Sequence, residues 1–388
     1  VLWVLALASL LVLTGCWDSV EVNDLGIVIA TAIDAAPNNQ VRVSIQIAVP
    51  GQMGSGTGGG MSGGGGKKPY FSVSAVGTDI RDTNQRLQRM VSRQIFVAHR
   101  RILLIGEKLA KQDIERQLDE PTRNPQSRLR TEVVVTRGEA MNYLKVSYPF
   151  ERVPMEGMRK VMYGNASDYK MDLKDLMIML ATPGLQPAIP IVDLTPPSPG
   201  ESPKFRADGV ALFRGGKMIG SLTTHEARGL LWLQDKMKRG TVTVGIPGHK
   251  GKVSCKMLRV KSDFDVKMKN GHPSMSVRLR PENDIVENDT DLDVNDPKNV
   301  VLVERAYSTK VKQTIVHTVD LLQHRYGVDV TGSSEYIHQA FPSEWLKLSA
   351  HWDQEFARMP ITVEVDGKIR RIGMDGPSLT RTKGQIEH

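Results

Sequence analysis

Between Tyr70 and Val146 the apolar residues switch period repeatedly, and this switching constrains the fold more than any other feature of the chain. "YFSVSAV" alternates as a strand does. "TDIRDTNQRLQRMVSR" then places Ile80, Leu87, Met90 and Val91 on one helical stripe, with Thr78 as candidate N-cap. "RILLIG" is a strand, "TEVVVTRG" is a continuous apolar run suited to a strand buried on both faces, and "EAMNYLKV" reads as a helix. Strands alternating with helices predict a compact α/β subdomain over residues 70–146.

The flanking segments follow other patterns. Ahead of this region, "LGIVIATAI" and "VRVSIQIAV" are separated by "DAAPNNQ" and predict a hairpin with one buried face. Residues 51–68 are so rich in glycine that a single backbone conformation would cost heavily in entropy, so a disordered loop is expected. Two motifs inside it fail on context. Gly60, Ser62 and Gly64 match G-x-S-x-G, but no strand enters and no helix leaves. A phosphate-binding loop fails because Met61 stands five positions before Gly66 and Lys68 follows Lys67.

A helix "DLKDLMIMLAT" precedes "PGLQPAIPIVDLTPPSPGESP", where Pro196, Pro197, Pro199 and Pro203 argue for a domain linker and a boundary near residue 200. Beyond it the pattern changes. "DGVALFRGGKMIGSLT" alternates on both sides of Gly215 and Gly216, a hairpin, and is followed by the helix "THEARGLLWLQDKM". "TVTVGI", "KVSCKMLRV", "FDVKMK" and "SMSVRLR" predict a largely antiparallel sheet. A long helix from Glu304 to Tyr326, with Val311, Ile315, Val319, Leu322 and Tyr326 on one face and Gly327 as its stop, should lie across that sheet. "PSEWLKLSAHWDQEF" aligns Trp345, Leu348, Trp352 and Phe356, and "ITVEVDGKIRRIG" reads as a hairpin turning on Asp366 and Gly367.

At 388 residues the chain exceeds what one core usually organises. The expected fold class is therefore α+β and multidomain, with mixed and mainly antiparallel sheets each covered by helices. Residues 25–200 form an N-terminal region of two subdomains, and residues 201–382 a C-terminal domain. With 40% hydrophobic and 24% charged residues, the composition argues against both a polytopic membrane protein and wholesale disorder. The net charge of +8 is dispersed along the chain, as on a solvated surface.

The N-terminus carries a different message. "VLWVLALASLLVL" contains no charged residue, is too short to span a bilayer as a helix, and fits the apolar core of a signal peptide. "LTGC", Leu13 to Cys16, resembles the lipobox of bacterial lipoproteins, which implies cleavage between Gly15 and Cys16 and a diacylglycerol thioether on the Cys16 thiol. Residues 1–15 are then a signal peptide and 16–24 a lipidated tether. Trp17 to Asp24 reach at most about 28 Å, so the folded body would stay close to the membrane. Only one other cysteine exists, Cys255, and it reads as a buried strand thiol, so no disulfide is expected.

Candidate chemistry elsewhere is incomplete. His225 and Glu226 begin H-E-x-x-H, but Gly229 occupies the second histidine position. Asp289, Asp291 and Asp293 have calcium-loop spacing, yet Val294 and Val300 replace the required glycine and glutamate. Arg123, Arg128 and Arg130 suggest an anion site, weighed against a solvated loop. Trp345 and Trp352 read as core, with a partner surface as the alternative. No nucleic-acid platform of interleaved basic and aromatic residues emerges, and no catalytic, metal or cofactor site is expected.

Taken together, "GCWDSVEVNDLGIVIATAID", "HRRILLIGEKLAK", "DGVALFRGGKMIGSLTTHEARGLLWL" and "YIHQAFPSEWLKLSAHWDQEF" through "VEVDGKIRRIG" resemble the Ger(x)C family, the lipoprotein C subunits of nutrient germinant receptors. The resemblance covers essentially the whole mature chain. It implies a non-enzymatic lipoprotein of three α+β domains on the outer face of the inner spore membrane, acting with polytopic A and B subunits. Cys16 is the one residue whose role carries over. A rival class, the substrate-binding lipoprotein of a membrane transporter, calls for two similar lobes, whereas the two halves here are patterned differently.

Overall fold

The computed structural model describes residues 21–50, 68–148, 150–164 and 169–373. Cys16, the signal peptide and all but Lys68 of the glycine-rich stretch lie outside them.

The first sheet has nine strands among the described residues, and its centre is parallel. Strand β1 (Leu25–Ala35) is flanked on one side by β2 (Val41–Ala48) and β3 (Tyr70–Gly77), antiparallel as the hairpin pattern predicts. A short β4 (Gln94–Phe96) runs parallel to the start of β1. On the other side β1 pairs in parallel with β5 (Ile102–Gly106), which pairs with β6 (Glu132–Thr136) and through it with β7 (Ala188–Leu194). Strands β8 (Phe205–Arg214) and β9 (Lys217–Leu222) complete the sheet antiparallel to β7.

The continuous apolar runs follow from burial on both faces. Leu103, Ile105, Val133 and Val135 join one hydrophobic cluster, while their neighbours Ile102, Leu104 and Val134 join another on the opposite face. Period-2 geometry requires that split. Helices α1 (Ile80–Gln88), α2 (Glu107–Ala110) and α3 (Glu115–Arg123) contribute Leu87, Leu109 and Leu118 to the first cluster. Helix α4 (Pro154–Gly164) and a 3-10 turn over Ala140–Lys145 supply Met158, Met162 and Tyr143 to the second. Helix α5 (Leu173–Ala181) starts at Asp172, whose side chain accepts from Asp175 N.

Several expectations need correction. The cap of α1 is Asp79 rather than Thr78, because the Asp79 carboxylate accepts from Asp82 N at 2.8 Å. The helix ends at Gln88, and Met90 is exposed. "EAMNYLKV" makes a 3-10 turn rather than an α-helix, tied down by Asp34, which accepts from Ala140 N at 2.7 Å and Met141 N at 2.9 Å. The proline-rich segment near residue 200 joins β7 to its antiparallel neighbour β8, so the first sheet draws strands from both sides of the expected boundary. Pro190 fits an interior strand because pairing with β6 is confined to Ile191 and Val192, and a bulge lies beside it on the β8 side.

Helix α6 (Thr224–Leu233) leads to the second sheet, in the order β10 (Gly240–Val244), β11 (Val253–Lys269), β12 (His272–Asn288) and β13 (Ile361–Val365). "KVSCKMLRV" and "FDVKMK" are parts of one 17-residue strand, β11, turned back at Asn270 (φ 52°) and Gly271 (φ 82°). The chain's last segment is not a hairpin. Strands β13 and β14 (Lys368–Arg371) both lie parallel to β12, one after the other along its length. Helix α7 (Pro297–Asp320) crosses this sheet and buries Val303, Tyr307, Val311, Ile315 and Val319, then continues through a π-helical turn, Leu321–Tyr326, to a left-handed Gly327. Helices α8 (Ser333–Ala340), α9 (Pro342–Leu348) and α10 (Trp352–Arg358) close the far end. Among the described residues no helix is long and apolar enough to cross a membrane.

Candidate functional site

The proposed lipidation point, Cys16, and the cleavage site before it lie outside the described residues. Cys255 is fully buried in β11, and burial pushes its thiol up to about 12, which makes it inert as a nucleophile. His225 and Glu226 open α6. Thr223 and Glu226 form a reciprocal capping box there: Glu226 N donates to Thr223 Oγ1 at 3.3 Å and Thr223 N to Glu226 Oε2 at 2.7 Å. Gly229 is required by packing, since a Cβ there would come within 2.1 Å of Thr318 Oγ1 on α7. Asp291 pairs with His249 Nδ1 at 3.0 Å, and Asp293 accepts from Asn295 N at 2.9 Å. No group of three or more candidate metal ligands occurs among the described residues.

Trp345 and Trp352 are core. Their rings meet edge to face at 5.1 Å, and Trp352 Nε1 donates to the buried Asp329 at 3.0 Å. They rest on Gly184, whose φ of 82° and lack of a side chain are both needed: a Cβ there would lie 2.7 Å from Trp345 and 2.8 Å from Trp352.

One cluster of charged residues is not explained by packing. Strands β5 and β6 start side by side, with Ile102 opposite Glu132, and the tripeptides just ahead of them are His99-Arg100-Arg101 and Arg128-Leu129-Arg130. Thr131 binds the two loops together, donating from Oγ1 to Arg100 O at 3.2 Å and Arg128 O at 2.7 Å. Arg159 reaches in from α4. His99, Arg100, Arg101, Arg128, Arg130 and Arg159, with Glu132, line a cavity of about 210 Å³.

Its electrostatics are unbalanced. Arg159 pairs with Glu132 at 3.3 Å and Glu156 at 3.0 Å, and Arg101 with Glu156 at 3.4 Å. Arg128 and Arg130 are exposed at the rim and make no ion pair with any described residue. Arg100 is only 5% exposed, yet its sole side-chain bond is from Nη2 to Ser127 Oγ at 3.3 Å, and its Nε has no partner. Burial pushes the Arg100 guanidinium down to about 10, so it remains charged at neutral pH. Glu132 is shifted up by burial, and its second oxygen is also unpartnered. Five guanidinium groups line the cavity against Glu132 in its wall, Glu156 beside it and Glu120 acting on Arg100 through space, so positive charge is in excess there. Of the three arginines for which an anion site was weighed against a solvated loop, Arg128 and Arg130 line this cavity. Arg123 is elsewhere, paired with Asp119 at 2.7 Å.

Comparison with known proteins places this architecture. The model of the spore germination protein N-terminal domain matches residues 18–194, and that of the spore germination B3/GerAC-like C-terminal domain matches residues 208–373. The two matches flank the proline-rich connection that the first sheet bridges. The chain is 30% identical to the Bacillus subtilis (strain 168) protein YfkR over 93% of each chain. It is 29% identical to spore germination protein KC of the same organism, over 96% of this chain and 95% of the relative. The crystal structure of the GerBC protein superposes with a TM-score of 0.58 at 18% identity, covering 87% of this chain and 96% of that one. With both domain models matched in order and a relative at 30% identity along nearly the whole length, the chain belongs to the GerAC-like family of spore germination proteins.

Proposed function

We propose that this chain is the lipoprotein C subunit of a nutrient germinant receptor. It is held by lipid on Cys16 to the outer face of the inner spore membrane, beside polytopic A and B subunits. The observation that carries this reading is the ordered match of both germination-protein domain models along the chain. Two features support it further. "LTGC" supplies an acceptor thiol behind an apolar run, and two acyl chains on one residue give stable anchoring where one is marginal. The tether from Trp17 to Asp24 is short, so the body stays at the membrane surface, where confinement raises the effective concentration of partners and lets weak contacts hold an assembly. The role is structural and signalling rather than catalytic: the buried Cys255 thiol is held protonated, and the Glu226 carboxylate at the start of α6 is spent on a helix cap with Thr223.

The test is deletion with complementation in the sporulating host, in a strain where no other receptor answers the same nutrient. Spores lacking the protein should fail to respond to that nutrient yet germinate normally through a receptor-independent trigger. Complementation by Cys16→Ala should be poor, with an unprocessed, lipid-free precursor seen by mass spectrometry. Normal nutrient germination of the deletion strain refutes the reading.

A further inference from the structure

We propose that the arginine-lined cavity at the start of β5 and β6 binds the phosphate of an anionic phospholipid headgroup, fixing how the folded body sits on the membrane. Its chemistry calls for an anion. A guanidinium as buried as Arg100 carries a desolvation cost that native proteins offset with a counter-charge; Glu120 acts on it only through space, it forms no salt bridge with a described residue, and its Nε has no partner. Around it Arg101, Arg128, Arg130 and Arg159 present planar donor forks of the kind that engage phosphate oxygens two at a time. Glu132 and Glu156 offset only part of this charge, and both are held by Arg159.

Position selects a lipid as the source of the phosphate, and this step rests on the anchored reading above. Arg101 N donates to Ile29 O at 2.8 Å, so the cavity is level with the fifth residue of β1. Leu25 lies four residues further out, about 13 Å at the rise of a strand. From there the chain leads back through the short tether to Cys16. The cavity is therefore at the end of the sheet nearest the proposed anchor, with its two unpaired arginines at the rim. A diacylated cysteine alone leaves the body free to swivel. A headgroup seated between Arg100 and the rim would remove that freedom.

The experiment uses the mature chain, residues 16–388, with Cys16→Ser so that no lipid is attached. Binding is followed by co-sedimentation with phosphatidylcholine vesicles made with and without phosphatidylglycerol. The expected result is binding that depends on phosphatidylglycerol and is roughly thirtyfold weaker in Arg128→Ala/Arg130→Ala, as the loss of two cationic contacts at an anionic surface implies. A control pair, Lys261→Ala/Lys269→Ala on exposed positions of β11, removes equal charge from the second sheet and should bind much as the parent does. Because loss of the buried Arg100 risks unfolding, the rim pair carries the test, with circular dichroism confirming its fold. Equal binding by the rim and control variants overturns the proposal. So does binding of inorganic phosphate, measured by calorimetry and lost in the rim variant, without any vesicle binding, since the site would then take a soluble anion. As the tested chain is unlipidated, these outcomes are independent of whether Cys16 is modified in cells.

Discussion

Replacing Asp329 with alanine should destabilise the protein by about 4 kcal/mol, because this carboxylate gathers donors from three segments in a site without water access. Its Oδ1 accepts from Thr331 N at 2.9 Å and Thr331 Oγ1 at 2.7 Å, and its Oδ2 from Ser334 N at 2.8 Å and Trp352 Nε1 at 3.0 Å. Thr331 Oγ1 keeps Ser333 Oγ as a neighbour, so three donors are left without a partner. At about 1–3 kcal/mol for each buried unsatisfied donor, less some relaxation, the sum is near the stated value. Part of the effect belongs to α8, whose N-cap is Gly332 and offers no side chain, so Asp329 takes over that role. Asp329→Asn should recover little: both oxygens accept, and an amide nitrogen in either place would face donors. Trp352→Phe should cost about 1–2 kcal/mol alone and much less in the Asp329→Ala background, since the indole donor is then already unpaired. Urea unfolding followed by circular dichroism gives the three values and the coupling. A loss below about 1 kcal/mol for Asp329→Ala, or strictly additive effects, refutes the assignment.

Three further outcomes are expected. Cleavage at a protease site engineered between Pro199 and Glu201 should leave the two fragments co-eluting in native gel filtration, because β7 and β8 remain paired across the cut; separation would show two independent bodies. Cys255, pushed up to about 12 by burial, should react with a thiol reagent at pH 8 only after unfolding; rapid labelling of the folded protein would contradict its place in β11. Glu282, held between Arg259 at 2.7 Å and Arg370 at 2.7 Å, should titrate at about 2 instead of 4.5 by carboxyl carbon NMR. A depressed acid favours folding above its unfolded value, so this contribution is complete above pH 4.5 and is lost as pH falls toward 2. In Arg259→Ala/Arg370→Ala the midpoint should return toward 4.5.

Where one period ran without interruption, the sequence was a sound guide to structure. The hairpin of β1 and β2, the twice-buried β5 and β6, and the stripe of α7 through Val311, Ile315 and Val319 all followed from local pattern. The failures share a physical cause: partners distant in sequence overrode local preference. "ITVEVDGKIRRIG" has the turn residues of a hairpin, but β12 is 17 residues long and offers a single edge along which β13 and β14 lie in succession. Asp366 N then bonds Leu279 O at 2.9 Å instead of closing a turn. The quoted proline-rich segment read as a linker, yet its Ala188–Leu194 stretch forms β7, and the shortness of the pairing with β6 makes room for Pro190 there. One available signal was missed, the Asn270-Gly271 pair between two alternating runs, which marks the hairpin of the second sheet.

The arginine cavity shows why a binding site is harder to read than a strand. Its lining comes from His99, Arg100 and Arg101, from Arg128, Arg130 and Glu132, and from Arg159, three segments with no common period. Parallel pairing brings the first two together, since any residues immediately ahead of neighbouring parallel strands must converge at one end of the sheet. That rule could have joined "HRR" to "RLR" once "RILLIG" and "TEVVVTRG" were recognised as adjacent parallel strands. Nothing local could have added Arg159, which arrives because α4 covers the opposite face of the same strands from Leu103 and Val133, against Ile102, Leu104 and Val134. Nor could it exclude Arg123, which sits only five residues from Arg128 but ends α3 and turns to Asp119. Charge in the sequence marks candidates. The strand order decides which of them share a cavity, and the buried, incompletely bonded Arg100 distinguishes that cavity from an ordinary solvated loop.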